Sequence, residues 1–519
     1  MATALMSISA LVLLLLALNC ICSGGQGQRE SFGGSQRRDA CRRVLDQGLS
    51  PRDPEQFPYR SRSEGGYFEY ATPREFNDLD CAGVAIIRET IEPNALSLPR
   101  YTNTPHLAYV THGRGLFGLV IPGCPPNFRD PFSSEQEQQR GRSERGADQE
   151  SPDTCQKIRR VQQGDVVSVF AGATFWWYND ASNEQLRLVA IADVSNNQNQ
   201  LDRDYVTFLV TGQAPIRQTS RRRGEEEETR EGGDSGDVAQ GIFGTFSARF
   251  LARTLHTSND TISRIQQQQQ QQGQGLHVRL QDKREEGLDI PYPRRRGDES
   301  ESEVRRGRES TSKEGKRMAN GVAEETVCSM RMRHFLDNPN DAEVYVAGGG
   351  RMNTVNRQKL ASLRFVKLAA DRVSLRPGAM FAPSWVTNAH RVIYVTRGRG
   401  FVQIIGDNGN QVFSGEVREG QFLVIPQQCP AVKEASSNDN FEWVAFLTHD
   451  TPVREKLAGV TSLIDGLPRE VLAAAFGVDE AQAEEFKRES YRRREYGPIL
   501  SSVSSSASYG GRALPSFEA

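Results

Sequence analysis

The chain lacks any apolar run of the roughly 18 residues that a membrane helix requires. It also lacks a charge bias: 64 Lys and Arg stand against 66 Asp and Glu, for a net charge of −2. A field that weak steers neither nucleic acid nor an anionic membrane, so neither is expected as a partner. Histidine is scarce, with seven in 519 residues, and cysteine nearly so, with eight. No CxxC pair and no Cys/His cluster with zinc spacing occurs, which speaks against structural zinc. There is no GxSxG elbow, no HExxH and no P-loop. Hydrophobic residues make up 37%, against about 45–50% in ordinary globular chains. Length and deficit together suggest two domains diluted by polar insertions.

What is present begins with a targeting signal. Ala10 to Leu18 is an apolar stretch of signal-peptide length, followed by small residues from Cys22 to Gly25. Residues 1–24 are therefore expected to be removed in the secretory pathway, taking Cys20 and Cys22 with them. The remaining six are Cys41, Cys81, Cys124, Cys155, Cys328 and Cys429. An oxidising lumen allows bridges among them, but spacing alone does not choose the pairing.

Composition then divides the chain. Pro125 to Arg159, Gln218 to Asp237 and the stretch from Gln266 to about Met318 are charged, Gly- or Gln-rich and nearly free of aliphatics. None buries enough apolar surface to offset its ordering entropy, so mobile insertions are expected there. The basic triplets Arg221–Arg223 and Arg294–Arg296 sit among acidic residues without aromatics, as solvated charge does. Between the insertions lie strand-like blocks that occur twice in the same order. In each half a hydrophobic strand runs into a glycine pair, Gly113-Arg-Gly115 and Gly398-Arg-Gly400, and a second strand follows. Glycines at tight bends are what a small barrel needs at its corners. The repeat extends to helices: Leu251 and Leu255 take the places of Leu472 and Phe476. The chain thus reads as mainly β, two barrels each followed by a helical segment. The expected domains are 38–265 (with insertions near 125–159 and 218–237), a linker at 266–320, a second domain at 321–495 and a tail at 496–519.

Asn320-Gly321 ends the longest polar stretch. Both residues tolerate positive φ and favour a turn, and extended chain before them offers a protease access. Asn259-Asp-Thr261 is a formal glycosylation sequon.

The blocks CAGVAIIRETIEPNALSLPRY, GDVVSVFAGATFWWYND, NGVAEETVC and NAHRVIYVTRGRGFVQI together resemble the legumin-type (11S) seed storage globulins of the cupin superfamily. The resemblance implies a jelly-roll barrel (double-stranded β-helix) in each half, and a nutrient reservoir without catalysis or cofactor. It implies homo-oligomers, trimers that pair into hexamers, held in the protein storage vacuole of seeds. It implies that an asparaginyl endopeptidase cuts between Asn320 and Gly321. It also implies the bridges Cys41–Cys81, within the first chain, and Cys124–Cys328, across the cut. Two features depart from the family: an extra Ala323, and a segment after the cut with as many acidic as basic side chains.

Many barrels of this superfamily hold a metal. Aligned on the glycine corners, its ligand positions fall on Pro99, Tyr101, His106 and Phe175, and on Ser384, Val386, Arg391 and Ala431. Only His106 among these binds transition ions, which want several converging donors, so no metal is expected. His112 and His390 flank strands and read as packed or partly exposed. The competing readings are a bicupin metalloenzyme and a lumenal module that binds a small ligand in a barrel, with Trp176, Trp177 and Trp385 as candidate lining.

Overall fold

The computed structural model describes residues 33–124, 158–201, 204–215, 238–271, 275–280, 327–328, 330–492 and 497–502. The signal segment, Cys155, Asn320-Gly321 and most of the charged insertions lie outside the described residues.

Strands AIIRETI, LRLVAIA and FEWVAFL read as nearly continuous apolar runs, and such runs suit strands buried on both faces. That is how they lie. In the first half a seven-stranded sheet runs in the order Tyr59–Ser63, Gly66–Ala71, Ala85–Ile91, Leu186–Ala192, His106–His112, Asp165–Val169 and Arg333–Phe335. A second sheet pairs Ala95–Thr102 with Thr174–Tyr178, and that strand with Arg114–Val120. Val110 and Val167 from one sheet meet Phe117, Phe175 and Trp177 from the other in one core. In the second half the strand Arg391–Ile405 spans both layers. It pairs with Phe422–Ile425 and Phe441–Leu447 at one end, and with Gln411–Arg418 and Ala431–Ala435 at the other.

The glycine pairs make the corners. Gly113 and Gly398 take φ of +80° and +72°, and a Cβ on either would run into a backbone carbonyl, of Gln185 or Asn440. Left-handed backbone plus close approach leaves only glycine. In the first half the corner separates two strands; in the second, one strand bends through it.

Each barrel is followed by a helical segment of the same plan. Ile242–Thr245, Ala248–Thr254 and Asn259–Gln271 match Leu463–Gly466, Arg469–Phe476 and Glu480–Arg492. The last helix of each set is capped from the residue before it. Ser258 Oγ accepts from Thr261 N at 3.1 Å. Asp479 accepts from Gln482 N at 2.7 Å while the Gln482 side chain accepts from Asp479 N at 3.2 Å. That reciprocal pair satisfies two otherwise orphaned amides.

The halves are joined by an apolar layer to which both contribute. Ile86, Leu107, Val166 and Ile191 pack in one cluster with Leu363, Val392, Phe422 and Phe446. Two segments pack on the half opposite to the one expected for them, 38–265 or 321–495. Residues 330–336, past the expected cut, pack on the first barrel: Arg333–Phe335 pairs with Asp165–Val169, and Met330 and Met332 enter its core. Conversely, Val44 and Leu49 pack into the second barrel's core, and Leu49 N donates to Val412 O at 2.8 Å. Each barrel is completed by chain from the other side.

Phe422 is fully buried in the shared layer, with the rings of Phe57 at 5.7 Å and Phe76 at 6.3 Å. Phe422→Ala is expected to cost about 3–5 kcal/mol, read from chemical denaturation of the full chain. Tyr345→Ala, at 70% exposure, should cost far less. Equal losses would contradict a core shared by the two barrels.

Candidate functional site

The barrel interiors are the places where this architecture could hold a reacting group. In the first, Glu89 rises from Ala85–Ile91 and Arg100 from Ala95–Thr102. The Arg100 guanidinium donates to Glu89 Oε2 at 2.6 Å and to Ser97 Oγ at 2.5 Å. Ser97 in turn donates to Glu89 Oε1 at 2.5 Å, and His277 Nε2 lies 2.8 Å from the same oxygen. Phe68 and Phe175 flank the guanidinium at 5.2 and 4.8 Å. Only about 20 Å³ remains empty, so the cluster is closed upon itself. Burial opposes ionisation of Glu89, but Arg100 and the His277 and Ser97 contacts outweigh it and hold the carboxyl at about 2. Burial, and after it the Arg100 charge, push His106 down to about 3, so it is a neutral core histidine against Phe175.

Two of the expected ligand positions are misplaced. Tyr101 does not face the interior; it stacks on Phe208 at 5.0 Å, and Pro99 is only half-buried. The register shifts between Ser97 and Arg100, and this bulge turns those two residues inward instead. His106 and Phe175 do lie in the interior, side by side. With Glu89 already engaged by Arg100 and His277, His106 beside a guanidinium is a poor cation site, because the fixed positive charge repels the ion.

In the second barrel Ser384, Val386, Arg391 and Ala431 are all buried, at the expected positions. Around Ser384 and Arg391 lies a cavity of about 230 Å³, lined also by Phe381, Trp385, Lys433 and Trp443. Here too the centre carries positive charge, and among the described residues no histidine lines the cavity. Lys433 was not anticipated, although the alternation Ala431, Lys433, Ala435 puts it on the inner face. Of the candidate tryptophans, Trp177 is packed in the first core and Trp385 borders the second cavity. The ring of Trp176 covers Gly118.

The cysteines are bonded as Cys41–Cys81 and Cys124–Cys328. Cys41, Cys81 and His390 form the one cluster of three metal-ligating residue types among the described residues. Both of its sulfurs are spent in the disulfide and offer no thiolate. Cys429 is a buried thiol that burial pushes up to about 11 despite the nearby Arg391, so it stays protonated and inert. His112 is half-exposed, 3.4 Å from Glu184. Asn259 is exposed at the start of its helix.

Glu89→Gln strands the buried Arg100 charge and is expected to cost about 3–5 kcal/mol in chemical denaturation. The pH profile gives an independent check. A depressed pKa means stability that is fully present above the ordinary value and lost as pH falls. His106 should therefore lose its contribution between about 6.5 and 3, and Glu89 between about 4.5 and 2. His106→Leu should flatten the melting temperature between pH 6.5 and 3 relative to the parent; an unchanged slope would contradict a buried neutral histidine.

Comparison with known proteins agrees with this geometry. The cupin family pattern matches residues 50–214 and 334–484, one match in each barrel. The chain is 35% identical to 11S globulin seed storage protein 1 of Carya illinoinensis over 96% of both chains. It is 34% identical to glutelin type-A 1 of Oryza sativa subsp. japonica, over 94% of this chain and 95% of that one. The crystal structure of the coconut allergen cocosin superposes with a TM-score of 0.68 at 30% identity, covering 89% of this chain and all of that one. Procruciferin, an 11S globulin from Brassica napus, superposes with a TM-score of 0.67 at 29% identity, over 88% and 97%. Two barrels, a helical segment after each and relatives over nearly the whole length place the chain among the 11S seed storage globulins of the cupin family.

Proposed function

We propose that this storage globulin is a nutrient reservoir without catalysis, kept as a homo-oligomer in the protein storage vacuole and degraded at germination. The observation that carries the oligomer is the pair of unpartnered helical faces. Phe246, Phe250 and Leu255 in the first segment are 53–56% exposed, and Val471, Phe476 and Phe486 in the second 47–59%. Large apolar side chains at matching places in both halves call for cover. A face from the first half of one protomer against the second half of the next is a head-to-tail contact, and such contacts close into rings. A trimer is the ring we infer.

The chain's course supports processing in the linker between the barrels. Asparaginyl endopeptidase is proposed to cut between Asn320 and Gly321. The new terminus stays attached in two ways: through Cys124–Cys328 and through strand Arg333–Phe335 in the first barrel. Cutting at Asn320 is proposed to allow trimers to pair into hexamers. Gln- and Arg-rich insertions suit the role, since both side chains carry extra nitrogen.

Protein from mature seed should run as one species in denaturing gels without reductant and as two chains with it. A single reduced chain would refute the processing. Cys124→Ser should release the two chains in denaturant without reductant, yet leave the native assembly intact. Asn320→Gln should sediment as a trimer where the cut protein is a hexamer. Stable hexamers of the uncut variant would sink the switch while leaving storage untouched.

A further inference from the structure

Lys433 is a buried amine in the wall of the second barrel's cavity. It projects inward from Ala431–Ala435 at 2% exposure, with Nζ over the rings of Phe381 at 5.0 Å and Trp443 at 5.7 Å. The buried carboxylate of this cavity, Asp371, is taken by Arg454 at 2.5 Å and Thr354 at 2.8 Å. The strand registers show why Lys433 is left without one. In the first barrel the central cation, Arg100, is neutralised by Glu89 at 2.6 Å. Glu89 lies opposite Phe68 and Leu188, and Val373 lies at the same step of the repeat, opposite Met352 and Trp443. Where the first barrel supplies a carboxylate, the second has a valine and a cavity of about 230 Å³. Exposed Arg454 and Thr461 mark its mouth.

We propose that Lys433 is a covalent capture site for a small uncharged aldehyde, held as an imine inside the second barrel. An amine attacks a carbonyl through its unshared electron pair, so a lysine reacts in proportion to its uncharged fraction. Burial, and next the Arg391 charge, hold Lys433 well below its ordinary range, with Asp371 as a smaller opposing effect. The ring faces favour the ammonium, but by less than loss of water opposes it. An apolar pocket beside a second cation is a setting in which lysines become nucleophiles at neutral pH. Arg391 itself, pushed down by burial to about 10, keeps the centre positive. In the reaction the Nζ pair forms the C–N bond as the carbonyl π pair moves to oxygen. Both amine protons then leave with that oxygen as water, the nitrogen pair closes the C=N bond, and nothing is oxidised or reduced. Arg391 Nε and the Ser384 hydroxyl line the same cavity, buried and without hydrogen-bond partners, so two donors are available to the oxygen. A cavity of about 150 Å³ accepts one benzene, so this one has room for an aldehyde of about four to six carbons. The other charged side chains in the lining are Arg454, Glu455 and Lys456. The site is independent of the storage reading and of oligomeric state.

The test treats the full chain at neutral pH with one equivalent of butanal and sodium cyanoborohydride, which reduces an imine to a stable secondary amine, and maps the peptides. Lys433 is expected to take the butyl group at least about tenfold faster than Lys367, whose side chain is 56% exposed. In urea that preference should vanish. Lys433→Met should lose the single adduct seen in the intact mass. Val373→Glu, which supplies the first barrel's carboxylate, should hold Lys433 as the ammonium and slow its labelling by a similar factor. It serves as the second variant if Lys433→Met fails to fold. Labelling of Lys433 no faster than of Lys367, the same preference in urea, an undiminished adduct in Lys433→Met, or unchanged labelling in folded Val373→Glu would overturn the proposal.

Discussion

The apolar layer between the barrels constrains everything else, because each half uses it as one wall. Leu107 and Val166 on one side, and Val392 and Phe422 on the other, are removed from water by each other. Strands with that duty must be apolar on both faces, which accounts for the runs that interrupt simple alternation. Polar groups are admitted there only when paired, as Ser168 and Ser362 are, with their hydroxyl oxygens 2.7 Å apart across the joint. The same layer explains why chain from each side completes the other barrel.

With the strands committed to the joint, each barrel's other faces have only the interior to fill. Both interiors carry large side chains and one or more buried cations, with a cavity of about 230 Å³ left in the second. Trp177 and Phe175 close the first around the Glu89–Arg100 pair; Trp443 and Phe381 hold Lys433 in the second. Positive charge at both centres is the physical argument against an ion-based chemistry on this scaffold.

Much of this was legible in the residues. The internal repeat, the glycine corners and the paired helical segments follow from spacing, because period-two strands and left-handed turns leave strong marks. The disulfide partners were not legible from spacing and came only with the family resemblance. Pro99 and Tyr101 were misread because a bulge at Ser97–Arg100 shifts the inward face, and bulges have no dependable mark in one sequence. The Glu89–His277 contact spans 188 residues, and nothing local pairs them. Lys433 was hidden by habit: a lysine in a strand reads as solvent-facing, although its buried neighbours Ala431 and Ala435 share its parity.

The central claim is that the barrel centres carry positive charge that opposes a metal ion. Its most direct test is titration of the purified, metal-stripped chain with Mn²⁺ and Zn²⁺, with metal analysis of the protein as isolated from seed. The account predicts no stoichiometric ion in the isolated protein and no tight site in either titration. A stoichiometric, submicromolar site lost in His106→Leu would contradict it.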